Sequence, residues 1–309
     1  MKYALIGLGN LGRHLAASLL REGFGIVVSD LNRSAATALL EAGAVWANTP
    51  REAAQGCDGL ITCLPSPGAS AAVMIGPEGA LDAIPAGGTW IEMSTNDLHE
   101  IKRIAAIGAE RGVATLEAPV TGGVHRAAAG EITVLVGGED DVYRRHLPAF
   151  RAMGGEVIHM GPLGSASIIK VITNMLAFIH LVAAGEALML AKCGGLDLKK
   201  SFEAIRASSG NSFVHETESQ VILNGSYNIG FTMDLACKDA GFAMAMGREF
   251  GVPLKLAGLV EQLFVEARRR YGGDAWSPMV VRLLEDALGE ELRAEGFPPE
   301  LTAGDERSR

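Results

Sequence analysis

Lys170 and Asn174 stand four positions apart in an apolar stretch, so on a helix their side chains share one face. Oxidising an alcohol requires a base to take the hydroxyl proton as hydride leaves the carbon. A lysine serves when burial or a nearby cation lowers its pKa from about 10.4. Lys238 is a candidate for that cation, and Asn174 can hold a substrate oxygen or orient the ammonium. The ordinary alternative is a solvated lysine near a helix start. The glycine-rich approach and the apolar continuation around Lys170 argue against it.

Gly7-Leu8-Gly9-Asn10-Leu11-Gly12 has the spacing G-x-G-x-x-G, directly after an apolar strand and at the opening of a helix. Gly7 suits a tight turn, Gly9 the close approach of a pyrophosphate, and Gly12 close packing of helix on strand. The helix N-terminus then offers free N–H groups and a positive dipole end to the phosphates. Asp30 closes the next strand, 18 residues past Gly12, where a carboxylate meets the ribose hydroxyls of an adenosine. That acid repels a 2′-phosphate and favours NAD, while Arg33 offsets part of the preference and leaves NADP open. Thr121-Gly122-Gly123 offers a hydroxyl and successive N–H groups suited to a carboxylate. Arg126 just beyond reads equally as a clamp for an acid or as a solvated loop residue. His125, His180 and His215 lack metal spacing and read as structural.

The elements that position these residues change character along the chain. Apolar runs at Tyr3–Gly7, Gly25–Ser29, Gly59–Cys63 and Thr89–Glu92 read as buried strands, with Val113–Leu116, Ile132–Val136 and Glu156–Ile158 following. Helical patterns at Leu11–Arg21, Ala35–Ala42 and Leu98–Arg111 separate them, which predicts a doubly wound parallel sheet. Ser165 to Cys193 reads as one helix of about 43 Å, stopped by Gly194-Gly195. Thereafter only helices are indicated: Leu198–Ala207, Thr217–Leu223, Leu235–Phe250, Pro253–Tyr271 and Met279–Leu288. The expected organisation is therefore a dinucleotide domain over 1–162, an all-helical substrate and oligomerisation domain over 163–290, and a polar, frayed tail over 291–309.

Composition narrows the class. The chain of 309 residues is 48% hydrophobic and 20% charged, with net charge −9. It can bury a large core, and it is a poor partner for a phosphate backbone. The four cysteines form no C-x-x-C, so neither a disulfide framework nor a zinc site is indicated. Val171 to Ala191 is apolar enough for a membrane span but carries Asn174, His180 and Glu186, and it reads as a buried helix. No signal-peptide layout follows Met1. A cytoplasmic protein with no membrane or nucleic-acid partner is expected. The apolar second half points to a homodimer or homotetramer.

Taken together, these segments resemble the β-hydroxyacid dehydrogenase family, which includes 3-hydroxyisobutyrate dehydrogenase and tartronate semialdehyde reductase. The similarity runs from Lys2 to about residue 288. Gly7 to Gly12 is similar to the family's cofactor loop. Leu64-Pro65 and Ser94-Thr95 sit where the family lays the nicotinamide half. Glu117-Ala118-Pro119-Val120-Thr121-Gly122-Gly123 resembles the substrate loop D-A-P-V-S-G-G. Gly161-Pro162-Leu163-Gly164-Ser165 leading to Lys170 and Asn174 resembles the catalytic signature. Phe231 with Lys238-Asp239 is similar to the segment whose lysine lies beside the nicotinamide. The chain departs from the pattern at Glu117 for Asp, Thr121 for Ser, Ala166 for Gly and Thr173 for Asn.

The resemblance implies an N-terminal Rossmann sheet, a long interdomain helix, and an NAD(P)-dependent oxidoreductase acting on a small 3-hydroxy acid. It implies Lys170 and Asn174 in catalysis, and Thr121, Gly122, Gly123, Asn174 and Phe231 at the substrate, a small carboxylate or sulfonate. Phe213 stands where relatives often carry a pocket-lining Trp, and core packing is its equal alternative. The cofactor set comprises Gly7, Leu8, Gly9, Asn10, Leu11, Gly12, Asp30, Leu64, Pro65, Thr95 and Lys238. An imine reductase of the same superfamily, which typically lacks this lysine, and a non-catalytic dinucleotide-binding protein are the competing readings.

Overall fold

A computed structural model describes residues 1–303. It divides the chain into two compact units that meet between Lys170 and Val171. The sequence places the boundary earlier, at 162/163. The difference arises because the first turn of the long helix is hydrogen-bonded to the sheet of the first unit.

The first unit contains nine strands: β1 (Lys2–Ile6), β2 (Gly25–Ser29), β3 (Val45–Trp46), β4 (Gly59–Thr62), β5 (Thr89–Glu92), β6 (Ala114–Glu117), β7 (Val120–Thr121), β8 (Ile132–Gly137) and β9 (Gly154–Gly161). Their order is β3-β2-β1-β4-β5-β6-β8-β7, with β9 also paired to β8. Parallel pairing runs from β3 to β6, while β8 meets β6 and β7 antiparallel. Successive strand residues point to opposite faces, and each face is covered. Tyr3, Leu5, Ile26 and Val28 pack with Leu15, Leu19, Phe150 and Met153 on one side. Ala4, Ile6, Val27 and Leu60 pack with Met74, Leu81 and Ile104 on the other. A sheet buried on both faces explains why its strands read as continuous apolar runs.

The connecting helices are α1 (Gly12–Arg21), α2 (Thr37–Glu41), α3 (Pro50–Ala54), α4 (Pro67–Ile75), α5 (Leu98–Ala109), α6 (Val124–Ala129) and α7 (Asp140–Met153). Four of these, α3, α4, α6 and α7, are absent from the sequence reading. Helix α7 persists through Pro148 because Val142, His146, Ala149, Phe150 and Met153 present one buried face.

Helix α8 (Ser165–Cys193) is unbroken for 29 residues. The second unit adds α9 (Leu198–Arg206), α10 (Phe213–Asn224), α11 (Met233–Glu249), α12 (Lys255–Tyr271) and α13 (Arg282–Leu288). They enclose a separate core around Phe178, Phe202, Ile222, Met233 and Phe264. Two expectations are corrected here. The apolar helix is only partly buried, with 33% of its most apolar window inside the structure. The described part of the tail does not fray. Leu292 is fully buried, Arg293 binds Glu285 and Tyr227, and Phe297 packs edge-on against Phe202. Residues 304–309 of the expected tail lie outside the described residues.

Candidate active site

The glycine loop follows β1 with the geometry its spacing requires. Gly7 has φ +98°, a region that side-chain-bearing residues rarely enter. A β-carbon there would strike the carbonyl of Cys63, and one on Gly12 would strike the carbonyl of Gly7. At Gly9 a β-carbon would meet nothing within 4 Å. Two glycines are thus needed for packing, and the third faces open space beside the N-terminus of α1. A pyrophosphate fits that cradle. Asp30, just past β2 and half-buried, accepts the N–H of Leu8 at 2.6 Å and that of Asn32 at 2.8 Å. Its carboxylate is therefore fixed beside the glycine loop. Arg33 lies over the ring of Trp46, 5.5 Å from its centre.

Farther along the same strand ends, Leu64 donates its N–H to Ser94 Oγ at 2.7 Å. Ser94 in turn donates both N–H and hydroxyl to Glu92 Oε1, at 2.9 and 2.5 Å. Asn96 Nδ2 reaches Glu92 Oε2 at 3.1 Å. This network locks Leu64-Pro65 and Ser94-Thr95 side by side. Burial pushes the Glu92 carboxyl above the ordinary carboxylate range, against its four hydrogen bonds. Thr121 ends β7, half-buried, and Gly122 and Gly123 follow with φ +122° and +91°. Any side chain at either glycine is strained.

Lys170 is 8% exposed in the second turn of α8. In the helical unit, Asn174 Nδ2 donates to Asp239 Oδ2 at 2.6 Å, and Lys238 Nζ meets Asp239 Oδ1 at 2.7 Å. Lys238 also lies 4.9 Å from the ring centre of Phe242. The structure thus brings Asn174 and Lys238 together through Asp239, a residue the sequence reading left unassigned. A signal for it was present. Asp239 falls on the buried face of α11 with Ala236, Ala240 and Ala243, where a charge is costly unless paired. Phe231 stacks on Phe178, with ring centres 6.4 Å apart. Phe213 is exposed at the start of α10, after Ser209–Ser212, which walls a recess of about 370 Å³ together with His180 and His215. His215 is buried, and its ring nitrogens meet Phe202 O and Ser219 Oγ. Among the described residues no group of His, Cys, Asp or Glu is arranged for a metal.

A doubly wound sheet with a pyrophosphate cradle and an acid at the end of β2 defines a dinucleotide-dependent oxidoreductase. Residues 2–161 match the family model for the NAD-binding domain of 6-phosphogluconate dehydrogenase. Residues 164–284 match the model for the NAD-binding part of NADP-dependent 3-hydroxyisobutyrate dehydrogenase. The chain belongs to the β-hydroxyacid dehydrogenase family. It is an NAD(P)-dependent enzyme acting on CH–OH.

Among its relatives, 2-(hydroxymethyl)glutarate dehydrogenase of Eubacterium barkeri is 32% identical over 94% of this chain and 96% of that protein. NAD-dependent L-serine dehydrogenase of Pseudomonas aeruginosa is 36% identical over 78% of this chain and 83% of that protein. The crystal structure of 3-hydroxyisobutyrate dehydrogenase from Salmonella typhimurium superimposes with TM-score 0.85 at 29% identity, covering 92% of this chain and 99% of that one. An imine reductase from Streptomyces aurantiacus, at 20% identity and TM-score 0.59, shares the fold alone.

Proposed function

We propose that this enzyme interconverts a small 3-hydroxy acid and its semialdehyde or oxo acid, with Lys170 as the proton acceptor and donor. The observation that carries the reading is the near-complete burial of Lys170. A charged side chain is rarely so enclosed without a task. A bound nicotinamide would supply the hydride chemistry. The chain's own residues hold the acid, orient the hydroxyl and move its proton. Thr121 with the N–H groups of Gly122 and Gly123 holds the carboxylate. Asn174, fixed by Asp239, orients the substrate oxygen. Lys170 Nζ takes the hydroxyl proton during oxidation and returns it during reduction. Leu64, Pro65, Thr95 and Lys238 would hold the nicotinamide half of the cofactor, and Gly7 to Gly12 with Asp30 the adenosine diphosphate half. The relatives named for 2-(hydroxymethyl)glutarate and L-serine support a small hydroxy acid as substrate.

The test is Lys170→Ala. It should lower kcat by roughly 10² to 10⁴, the usual worth of a positioned acid or base, with NADH binding retained by fluorescence. Oxidation needs the neutral amine and accelerates with rising pH; reduction needs the ammonium and shows the opposite trend. Lys170→Arg rescues little, because a guanidinium holds its proton. A Lys170→Ala enzyme with near-normal kcat and unchanged pH dependence removes Lys170 from the mechanism.

A second copy of this chain covers the apolar surface of the helical unit, giving a cytoplasmic homodimer or homotetramer. Leu190 is 77% exposed and Leu259 62%, with Leu196 and Leu256 also outward, a surface that water disfavours. Light scattering should return a multiple of 32.3 kDa, reduced by Leu190→Glu. A monomeric wild type at micromolar concentration contradicts the assembly.

A further inference from the structure

Helix α8 draws the cap of its N-terminus from a residue far away in sequence. Glu117, the last residue of β6, accepts the N–H of Gly164 and the N–H of Ala166 on Oε1, both at 2.7 Å. Its other oxygen accepts the hydroxyl of Ser167. The side chain is fully buried. These donors include N–H groups that a helix start leaves without partners, and an anion there is favoured by the helix dipole. Each side thus satisfies what burial would otherwise make costly in the other.

Room for the carboxylate comes from Gly137, the antiparallel partner of Glu117 in β8. A β-carbon at 137 would intrude on Oε1 and lie 3.1 Å from the nitrogen of Ala166. Lys102 stands nearby, its Nζ 3.3 Å from where a β-carbon on Gly164 would sit.

We propose that Glu117 is the positioning residue for Lys170, fastening the first turn of α8 to the sheet so that the acid/base is held at a fixed height above the strand ends. Ala166, which the carboxylate grips, is four residues before Lys170. It lies about one turn below on the same face and receives the backbone hydrogen bond of Lys170. Ser167 grips from the adjacent position, three residues away. A shift of this turn moves Nζ with it, and misplacement of a reacting group by about 1 Å can cost on the order of 10²-fold in rate. The proposal rests on Lys170 being the acid/base.

Glu117→Gln, Glu117→Asp and Gly137→Ala are compared with Lys170→Ala, with rates referred to folded protein. Glu117→Gln replaces an acceptor oxygen by a donor that opposes the helix start. It should lower kcat roughly 10- to 100-fold and leave the KM for NADH within about two-fold. Glu117→Asp, which keeps the acceptor oxygens, retains more kcat than Glu117→Gln. Gly137→Ala leaves Glu117 in place, displaces its carboxylate, and reproduces the loss of kcat. It also carries the test if Glu117→Gln fails to fold. Wild-type kcat in folded Glu117→Gln or Gly137→Ala, whatever their Tm, overturns the proposal and leaves Glu117 a purely stabilising cap. If Lys170→Ala keeps its activity, the acid/base reading fails instead, and the two failures are told apart.

Discussion

Asp30 and the pair Glu92 and Glu117 occupy equivalent places, at the C-terminal ends of parallel strands, yet they are used in opposite ways. Asp30 is half-buried, and each of its oxygens accepts one backbone N–H, from Leu8 and from Asn32. A carboxylate oxygen has room for a further donor, so Asp30 can still receive a ribose hydroxyl. Glu92 and Glu117 are neighbours in register on β5 and β6 and are fully buried. Their oxygens are engaged within the protein, by Ser94 and Asn96 in one case and by the start of α8 in the other. The same residue class at the same edge keeps acceptor capacity for a ligand where the edge is open and is a clamp where it is covered.

That contrast breaks most readily at Asp30. Asp30→Ala should erase most of the preference for NAD over NADP, a change of roughly 10- to 100-fold for a lost hydrogen bond to a charged group of about 1.5–3 kcal/mol. The measurement is kcat/KM with each cofactor in both proteins. A wild type that favours NADP assigns the 2′ position to Arg33.

A smaller effect is expected at Glu92. Glu92→Gln should raise the KM for NADH a few-fold, through a looser Leu64–Ser94 contact worth about 1 kcal/mol, and leave the pH–kcat midpoint unchanged. It should also alter stability against pH. Burial raises the native pKa of Glu92, so the native state binds this proton more tightly than the unfolded state, whose value is about 4.3. The contribution of Glu92 is complete below that value and is lost as pH rises through the native one. Wild-type Tm therefore declines across this window relative to Glu92→Gln, and parallel Tm–pH curves contradict the assignment.

Local pattern made much of the architecture readable. The buried strands announced themselves as apolar runs, and α8 occupies the residues its periodicity indicates, Ser165–Cys193. The helices left out are mostly short. Pro50–Ala54 and Pro67–Ile75 begin with Thr49 and Ser66 as caps before proline, a start signal that was present, but they are too short to display a stripe. The glycine loop was legible because its chemistry lies within six consecutive residues. The roles of Glu92, Glu117 and Asp239 were not, because they depend on partners brought near by folding. Gly164 is 47 residues from Glu117, and Asn174 is 65 from Asp239. The tail departs from what its composition indicates for a related reason. Polar composition suggested fraying, while Leu292 and Phe297 find distant apolar partners.

The missing side chain at Gly137 carries a consequence for how this enzyme can diverge. The glutamate at 117 fills the volume that a methyl group at 137 would need, so a change at one position alters what a change at the other costs. A shorter acid at 117 withdraws by one methylene and vacates part of that space, so a small side chain at 137 costs less on that background. The two sites are thus joined by volume. A variant carrying both changes should differ from the sum of the single ones, as expected for residues in direct contact.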